Sequence, residues 1–154
     1  MAIMGNDKTV IDLLNELIEL EYEAIEAYEA AVGRVEESRD RARIQGFLGE
    51  HLRQVRELCA LVRQLGGEPA SASDLKQMLK RGKVVIVGLF GDRPVLEAMK
   101  VNEAESERLH ERIAARPGLP DAVRLVLRKH LATEHRHHDW IVDRLDAGAG
   151  LLRL

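Results

Sequence analysis

The sequence predicts an all-α protein, a four-helix bundle built from two antiparallel helix hairpins. Apolar residues recur every three or four positions over four segments of roughly 25 residues, which is the spacing of one helix face. Two of the three connections between these segments are short, and the middle one is long. Hydrophobic residues make up 45% of the chain and charged residues 32%, a mixture typical of helices with one buried and one solvated face.

The 154 residues fit a single domain. We expect the four helices at about residues 8–36, 40–65, 92–116 and 120–147. A few polar residues around Ser38 join the first two helices. The last two are joined by a turn in which Gly118 can end one helix and Pro120 can occupy the first turn of the next. Each pair should therefore form a hairpin.

The connection between the hairpins, about residues 66–93, is too long for a simple turn. Its apolar residues recur at roughly helical spacing, but Gly82 and Gly88 interrupt them. The run Val84–Phe90 also fits an extended strand, because valine and isoleucine favour that geometry. We favour a long crossover that contains a short, broken helix and leaves apolar surface for a second copy of the chain. We therefore expect a homo-oligomer, specifically a homodimer.

Composition argues against several classes of partner. The formal net charge is -3, with one Trp, two Tyr and two Phe, so neither a basic surface nor base stacking favours nucleic acid. The run Val84–Phe90 is too short to span a bilayer, and residues 1–8 do not resemble a secretory signal. Cys59 is the single cysteine and lies on an apolar stripe, where it should be a buried hydrophobe. We expect a cytoplasmic protein that binds neither nucleic acid nor membrane.

Glu21 interrupts the apolar face of the first helix. A buried carboxylate without a partner costs on the order of several kcal/mol, so Glu21 needs one. The third helix repeats the pattern, with Glu103 82 positions later. Each glutamate is followed seven residues on by a ring with a polar atom, Tyr28 or His110. The sequence thus predicts two glutamates that point into the bundle from the first and third helices.

The fourth helix places Glu134 on its apolar stripe, followed by two adjacent histidines. A glutamate and a histidine three or four residues apart can point at one ion from neighbouring turns. The three-residue interval gives His137 and the four-residue interval gives His138. The apolar stripe favours His138, and both remain candidates.

On the second helix, the position of the candidate ligand is uncertain by one residue. An offset of 84 from Glu134 gives Glu50, whereas an offset of 83 gives His51 and matches more of the apolar positions. Neither offset gives a complete Glu-x-x-His pair, because Arg53 and Gln54 follow Glu50 at three and four residues. An ion pair between Glu50 and Arg53 on the helix surface is the alternative without metal.

These residues together form a set of candidate metal ligands contributed by all four helices. The set is Glu21, Glu50, His51, Glu103, Glu134, His137 and His138. Carboxylate oxygens and imidazole nitrogens suit one or two ions of iron or manganese, with oxidation of ferrous iron by oxygen or peroxide as the reaction. Tyr28 is the candidate catalytic residue, either as a hydrogen-bond donor to a glutamate ligand or as a redox-active neighbour.

Three short motifs carry a resemblance to known proteins. They are Leu65-Gly66-Gly67-Glu68-Pro69, Glu103-x6-His110 and His138-Asp139-x-Ile141. With the two hairpins, they make the chain resemble the ferritin-like superfamily, which includes rubrerythrin, bacterioferritin and ferritin. More closely, the chain is similar to an uncharacterised bacterial ferritin-like family of about this length.

The resemblance implies the bundle fold, a di-iron or di-manganese carboxylate centre, and a ferroxidase or peroxidase-type activity. The ligand spacing usual in this superfamily favours His137. Two positions depart from its pattern: Arg53 stands where a histidine is expected, and His110 replaces the usual tyrosine. The alternative is a non-catalytic bundle with a degenerate site that acts as a stress-related interaction module.

Overall fold

The computed structural model describes residues 2–72, 86 and 88–152, and the side chains of residues 10–72, 86 and 88–148. Four α-helices make up this part of the chain: α1 (Ala2–Arg34), α2 (Ser38–Gln64), α3 (Asp92–Ala114) and α4 (Asp121–Leu152). The all-α bundle is confirmed, with α1 starting earlier and α4 ending later than expected. The short helix expected in the crossover falls mostly on residues 73–85 and 87, which lie outside the described residues.

The helices pack as two hairpins, α1 with α2 and α3 with α4, and the hairpins meet along α1–α3 and α2–α4. Asp92, at the start of α3, accepts hydrogen bonds from the backbone N–H groups of Glu36 and Glu37 in the α1–α2 turn, at 2.8 and 3.1 Å. The start of α3 therefore lies at the opposite end of the bundle from the end of α2. A long crossover is needed for this reason.

Two adjacent glycines end α2 and explain part of the Leu65–Pro69 motif. Gly66 has φ +85°, and its N–H donates to Arg63 O at 3.0 Å while Gly67 N–H donates to Val62 O at 2.9 Å. This pair of bonds is the Schellman arrangement, which satisfies the last carbonyls of a helix. Gly67 is also sterically required, since a Cβ there would lie 2.7 Å from Ile11 Cγ2.

Asn15 of α1 fastens the start of the crossover to the bundle. Its amide nitrogen donates to Glu68 O at 3.1 Å, and its amide oxygen accepts from Ala70 N–H at 2.8 Å. These two hydrogen bonds satisfy backbone groups that have no helical partner after the end of α2.

The core consists of two apolar clusters stacked along the bundle axis. One surrounds Leu17, Leu58 and Leu127, and the other surrounds Phe47 and Met99. Between them lies a band of buried polar side chains, which positions the site. None of the helices that the structure describes carries an apolar stretch long enough to cross a membrane.

Candidate metal centre

The band between the two clusters, which we call the polar layer, receives side chains from all four helices. Each of its members is at most 3% exposed. They are Glu21, His51, Gln54, Glu103, Ser106, His110, His130, Glu134 and His137. Burying this many polar groups is costly unless each one is paired or binds a ligand.

His51 of α2 lies at the centre of the polar layer. Its Nδ1 is 2.7 Å from Glu21 Oε2, and its Nε2 is 3.2 Å from Glu103 Oε1. Nδ1 is also 3.7 Å from Glu134 Oε1. One imidazole therefore contacts carboxylates from the three other helices. Of the two offsets that the sequence allowed for α2, the structure follows the one that gives His51.

Gln54 is a member of the layer that the sequence did not single out as a site residue. Its amide nitrogen donates to Glu21 Oε1 at 3.0 Å and to Glu134 Oε1 at 2.8 Å. Gln54 lies three residues after His51, as His137 lies three residues after Glu134. The offset of 83 residues could have indicated Gln54, because it aligns Glu134-x-x-His137 of α4 with His51-x-x-Gln54 of α2.

The structure turns His137, and not His138, into the polar layer. His137 Nδ1 is 3.4 Å from Glu103 Oε1, and its ring stacks on Phe47 with centroids 4.0 Å apart. His138 is partly exposed, and its Nδ1 lies 3.5 Å from Glu107 Oε1 at the edge of the bundle. The three-residue interval thus predicted the inward histidine, while the apolar stripe indicated the wrong one. A ligand role for His138 stays a prediction that the contacts of this residue do not support.

Glu50 lies at the rim of the layer rather than inside it. Arg136 of α4 holds it through two contacts, one of them from Nη1 to Oε1 at 3.0 Å. Glu50 Oε1 is also 3.4 Å from Nε2 of His137. The ion pair with Arg53, which was the alternative to metal binding, is replaced by this contact between helices. Glu50 lies where it can orient His137, and its role as a metal ligand stays a prediction.

Tyr28 and His110, the two rings of the repeated Glu-x6 pattern, both reach the layer. The Tyr28 hydroxyl donates to Glu103 Oε1, as one of its predicted roles requires. The Nδ1–H of His110 donates to Ser106 O at 2.8 Å, and Nε2 lies 4.0 Å from Glu21 Oε1. A catalytic role for Tyr28 stays a prediction.

Potential ligand atoms converge in two groups. Position 1 comprises one atom each from His51, Glu103, Glu134 and His137, and all four atoms lie within 4.8 Å of one another. Position 2 comprises Glu21, His110 and Glu134 under the same limit. Glu134 belongs to both positions, which is how carboxylates serve in two-metal sites. His110 is a potential ligand outside the set of seven predicted from the sequence.

A family model described as "Domain of unknown function (DUF2383)" matches residues 9–115, well over half of the chain. The chain belongs to the DUF2383 family. The DUF2383 chain also resembles a solved structure, the bacterioferritin-related protein from Bacteroides fragilis, described as a dodecameric thioferritin. The TM-score is 0.82 at 22% identity, over 96% of this chain and 90% of the other. This likeness confirms the ferritin-like fold. The comparison with curated proteins returned no match.

In this DUF2383 protein, burial and neighbouring charges shift the pKa values of the ionisable side chains in the polar layer. Burial lowers the pKa of His51, but Glu21 and Glu134 outweigh this effect and hold the pKa well above its usual value. Burial, followed by the charges of Glu21 and Glu103, raises the pKa of Glu134 well above its usual value. Burial also raises the pKa of Glu103, yet its close contacts with Glu134, His137 and His51 leave that pKa well below normal. In the protein without metal, these shifts favour the charged form of His51 and the protonated form of Glu134.

The oxygen and nitrogen atoms of the DUF2383 polar layer suit the binding of a metal cation. Several of them are buried without any hydrogen-bond partner: Glu103 Oε2, Glu134 Oε2, His110 Nε2, His130 Nδ1 and His137 Nδ1. Native proteins leave few buried polar atoms unpaired, so their concentration in one layer calls for an explanation. All five are carboxylate oxygens or imidazole nitrogens, the donors that iron and manganese accept.

Proposed function

We propose that this protein is a ferritin-like metal-binding protein that holds iron or manganese at positions 1 and 2 and takes part in iron or oxidant handling. Two groups of potential ligand atoms share Glu134, and this observation carries the proposal. The same layer contains several oxygen and nitrogen atoms that have no hydrogen-bond partner. The ferritin-like fold supports it by analogy, since fold alone does not determine function.

The two positions offer different donor sets. Position 1 has two imidazoles, His51 and His137, and position 2 has one, His110. Iron bound there would supply the electrons that reduce oxygen or peroxide, which gives a ferroxidase or peroxidase-type reaction. We expect position 1 to be the tighter one, because it offers one more donor atom than position 2.

Residues around the two positions support the same role. Tyr28 donates a hydrogen bond to Glu103 and so fixes one carboxylate of position 1. Gln54 holds Glu21 and Glu134 with one amide group, which keeps both carboxylates of position 2 in place. The apolar clusters on either side exclude water, so electrostatic interactions inside the layer are stronger than at the surface.

The assembly and the location of the protein remain at the level of proposals. The structural relative is described as dodecameric, and this supports a homo-oligomer here. The homodimer and the cytoplasmic location stay predictions. Both can be checked by light scattering of the purified chain and by fractionation of cells that express it.

Metal content is the test of the proposed function. We expect the wild-type protein to retain Fe²⁺ or Mn²⁺ after anaerobic loading and desalting, and Glu134→Gln to lose most of it from both positions. This variant keeps an oxygen that can accept from Gln54, so its fold should persist. Glu107→Gln, just outside the layer, is the matched control and should bind as the wild type does.

The oxidant part of the proposal needs a separate measurement. Oxygen or peroxide consumption by the Fe²⁺-loaded wild type should exceed that of Glu134→Gln and of Fe²⁺ alone. Wild-type protein that retains no metal would overturn the proposal as a whole. Protein that binds metal but consumes oxidant no faster than free Fe²⁺ would overturn the oxidant role alone.

A non-catalytic bundle is the second candidate, and one observation favours it. His51 and Gln54 supply Glu21 with hydrogen-bond partners from the protein itself, as a degenerate site would require. In that case chelator would leave the unfolding temperature unchanged, and added Mn²⁺ would not raise it. A rise in unfolding temperature with Mn²⁺ separates the metal-binding protein from this alternative, because a ligand of the native state stabilises it.

A further inference from the structure

The seam between α2 and α4 carries the same arrangement of side chains twice. In the first copy, which we call the Glu50 triad, Arg136 holds the Glu50 carboxylate at the rim of the bundle. The same carboxylate is 3.4 Å from the outer nitrogen of His137, Nε2. The inner nitrogen, Nδ1, faces Glu103 in position 1.

The second copy is the Glu57 triad. Lys129 Nζ donates to both oxygens of the Glu57 carboxylate, at 2.9 and 3.1 Å. Glu57 Oε2 lies 3.2 Å from Nε2 of His130, the outer nitrogen of that ring. The inner nitrogen of His130, Nδ1, is buried and has no hydrogen-bond partner. The ring packs edge to face on His110 of position 2, with centroids 6.2 Å apart.

The two triads are related by a shift of two helical turns. Glu57 follows Glu50 by seven residues on α2, and His130 precedes His137 by seven residues on the antiparallel α4. Seven residues return a side chain to nearly the same face of a helix. His130 therefore stands beside position 2, on the same face of α4 that places His137 in position 1.

This arrangement has a known chemical use. Histidines that bind metals commonly donate their second N–H to a carboxylate, which fixes the tautomer and directs the other nitrogen at the ion. In the Glu57 triad the carboxylate is on the outer side and the unpartnered nitrogen is on the inner side. A structural histidine in the core would be expected to have both nitrogens paired.

We infer that His130 is a further metal ligand, which completes position 2 through Nδ1, and that Glu57 is the residue that orients it. The inference rests on the proposed function. His130 is not a member of the three-atom group of position 2. Its ring centroid is 6.2 Å from that of His110, against 5.1 Å between the two ring centroids of position 1. The assignment therefore includes a side-chain adjustment that brings His130 Nδ1 to the ion at position 2.

The stoichiometry of Co²⁺ binding tests this assignment. Equilibrium dialysis followed by elemental analysis should give two ions per wild-type chain and one ion per His130→Gln chain, with position 1 unchanged. His135→Gln is the matched control, a histidine of the same helix whose side chain is 47% exposed, and it should keep two ions. Glu57→Gln should keep the second ion with an affinity lowered by roughly 10–100-fold, the effect of losing an orienting partner.

A second measurement starts from the wild-type protein and uses the variants to assign the signal. In Co²⁺-loaded wild-type protein the Nε2–H of His130, held by Glu57, should give a strongly shifted, slowly exchanging proton resonance. That resonance should disappear in His130→Gln and exchange faster with water in Glu57→Gln. Unfolding of the metal-free variants by urea shows whether each one retains the bundle.

The outcomes separate the two proposals. His130→Gln chains that bind both ions with wild-type affinity, or a loaded wild type without a shifted His130 resonance, would overturn the assignment. Wild-type protein that binds a single ion would also overturn it and would leave metal binding at position 1 intact. Wild-type protein that binds no ion would overturn the proposed function itself.

Discussion

His51 Nδ1 lies 2.7 Å from Glu21 Oε2 in the middle of the bundle, and both side chains are almost completely buried. His51 occupies the position on α2 that corresponds to Glu134 on α4 at the offset of 83 residues. In the metal-free protein its proton offsets the charge that Glu21 brings into the core. Removing either partner should therefore affect stability as well as metal binding.

We expect His51→Leu to lower the free energy of unfolding of the metal-free protein by about 3–5 kcal/mol, because Glu21 is left as an uncompensated buried charge. Urea denaturation in the presence of chelator measures this. His135→Leu, on the partly exposed face of α4, should change stability by less than about 0.5 kcal/mol. Equal stability of His51→Leu and the wild type would contradict the ion pair.

Gln54→Leu should cost about 1–3 kcal/mol in the metal-free protein, since two buried carboxylates each lose a hydrogen bond. Thermal unfolding at pH 7 with chelator gives the value. Gln54→Glu should also destabilise the metal-free protein, because it replaces the donor with a fourth carboxylate. No loss of stability in either variant would show that Gln54 does not hold these two glutamates.

Two glycines, one inside α2 and one just after its end, should respond in opposite ways to alanine. Gly66→Ala places a side chain at φ +85° and should cost about 1–2 kcal/mol. Gly46→Ala, inside the helix with open space around the new Cβ, should stabilise by about 0.5–1 kcal/mol. Urea denaturation of the two variants checks the pair. A stabilising Gly66→Ala would contradict the Schellman end of α2.

Glu23 should make stability depend on pH. Burial, with the nearby charges of Glu105 and Glu19, raises the pKa of Glu23 above its unfolded value. A group with a raised folded pKa contributes stability below its unfolded pKa, and this contribution is lost as pH rises through the folded pKa. Glu23→Gln should therefore raise the unfolding temperature at pH 7 but not at pH 4. The gain should be below about 0.5 kcal/mol, because solvent screens the site.

The fold followed from the sequence because helix periodicity and connection length are local properties. The crossover is an example, because the connection of about residues 66–93 is too long for a simple turn. The inward direction of Glu21 and Glu103 also followed, since each one interrupts an apolar stripe and the two repeat each other.

The α2 and α4 ligands were harder to predict for a geometric reason. Adjacent residues on a helix point about 100° apart, so Glu50 against His51 and His137 against His138 depend on how each helix is rotated in the bundle. Packing sets that rotation, and the sequence leaves it uncertain by one residue. The Glu50–Arg136 contact joins two helices and has no signal in local spacing.

The most direct test of the central claim is a crystal grown or soaked with Mn²⁺ and measured for anomalous scattering. We predict two anomalous peaks inside the bundle, one on each side of the Glu134 carboxylate, the first contacted by His51 and His137 and the second by Glu21 and His110. Crystals whose anomalous map shows no peak in the polar layer at saturating Mn²⁺ would contradict a metal centre in this bundle.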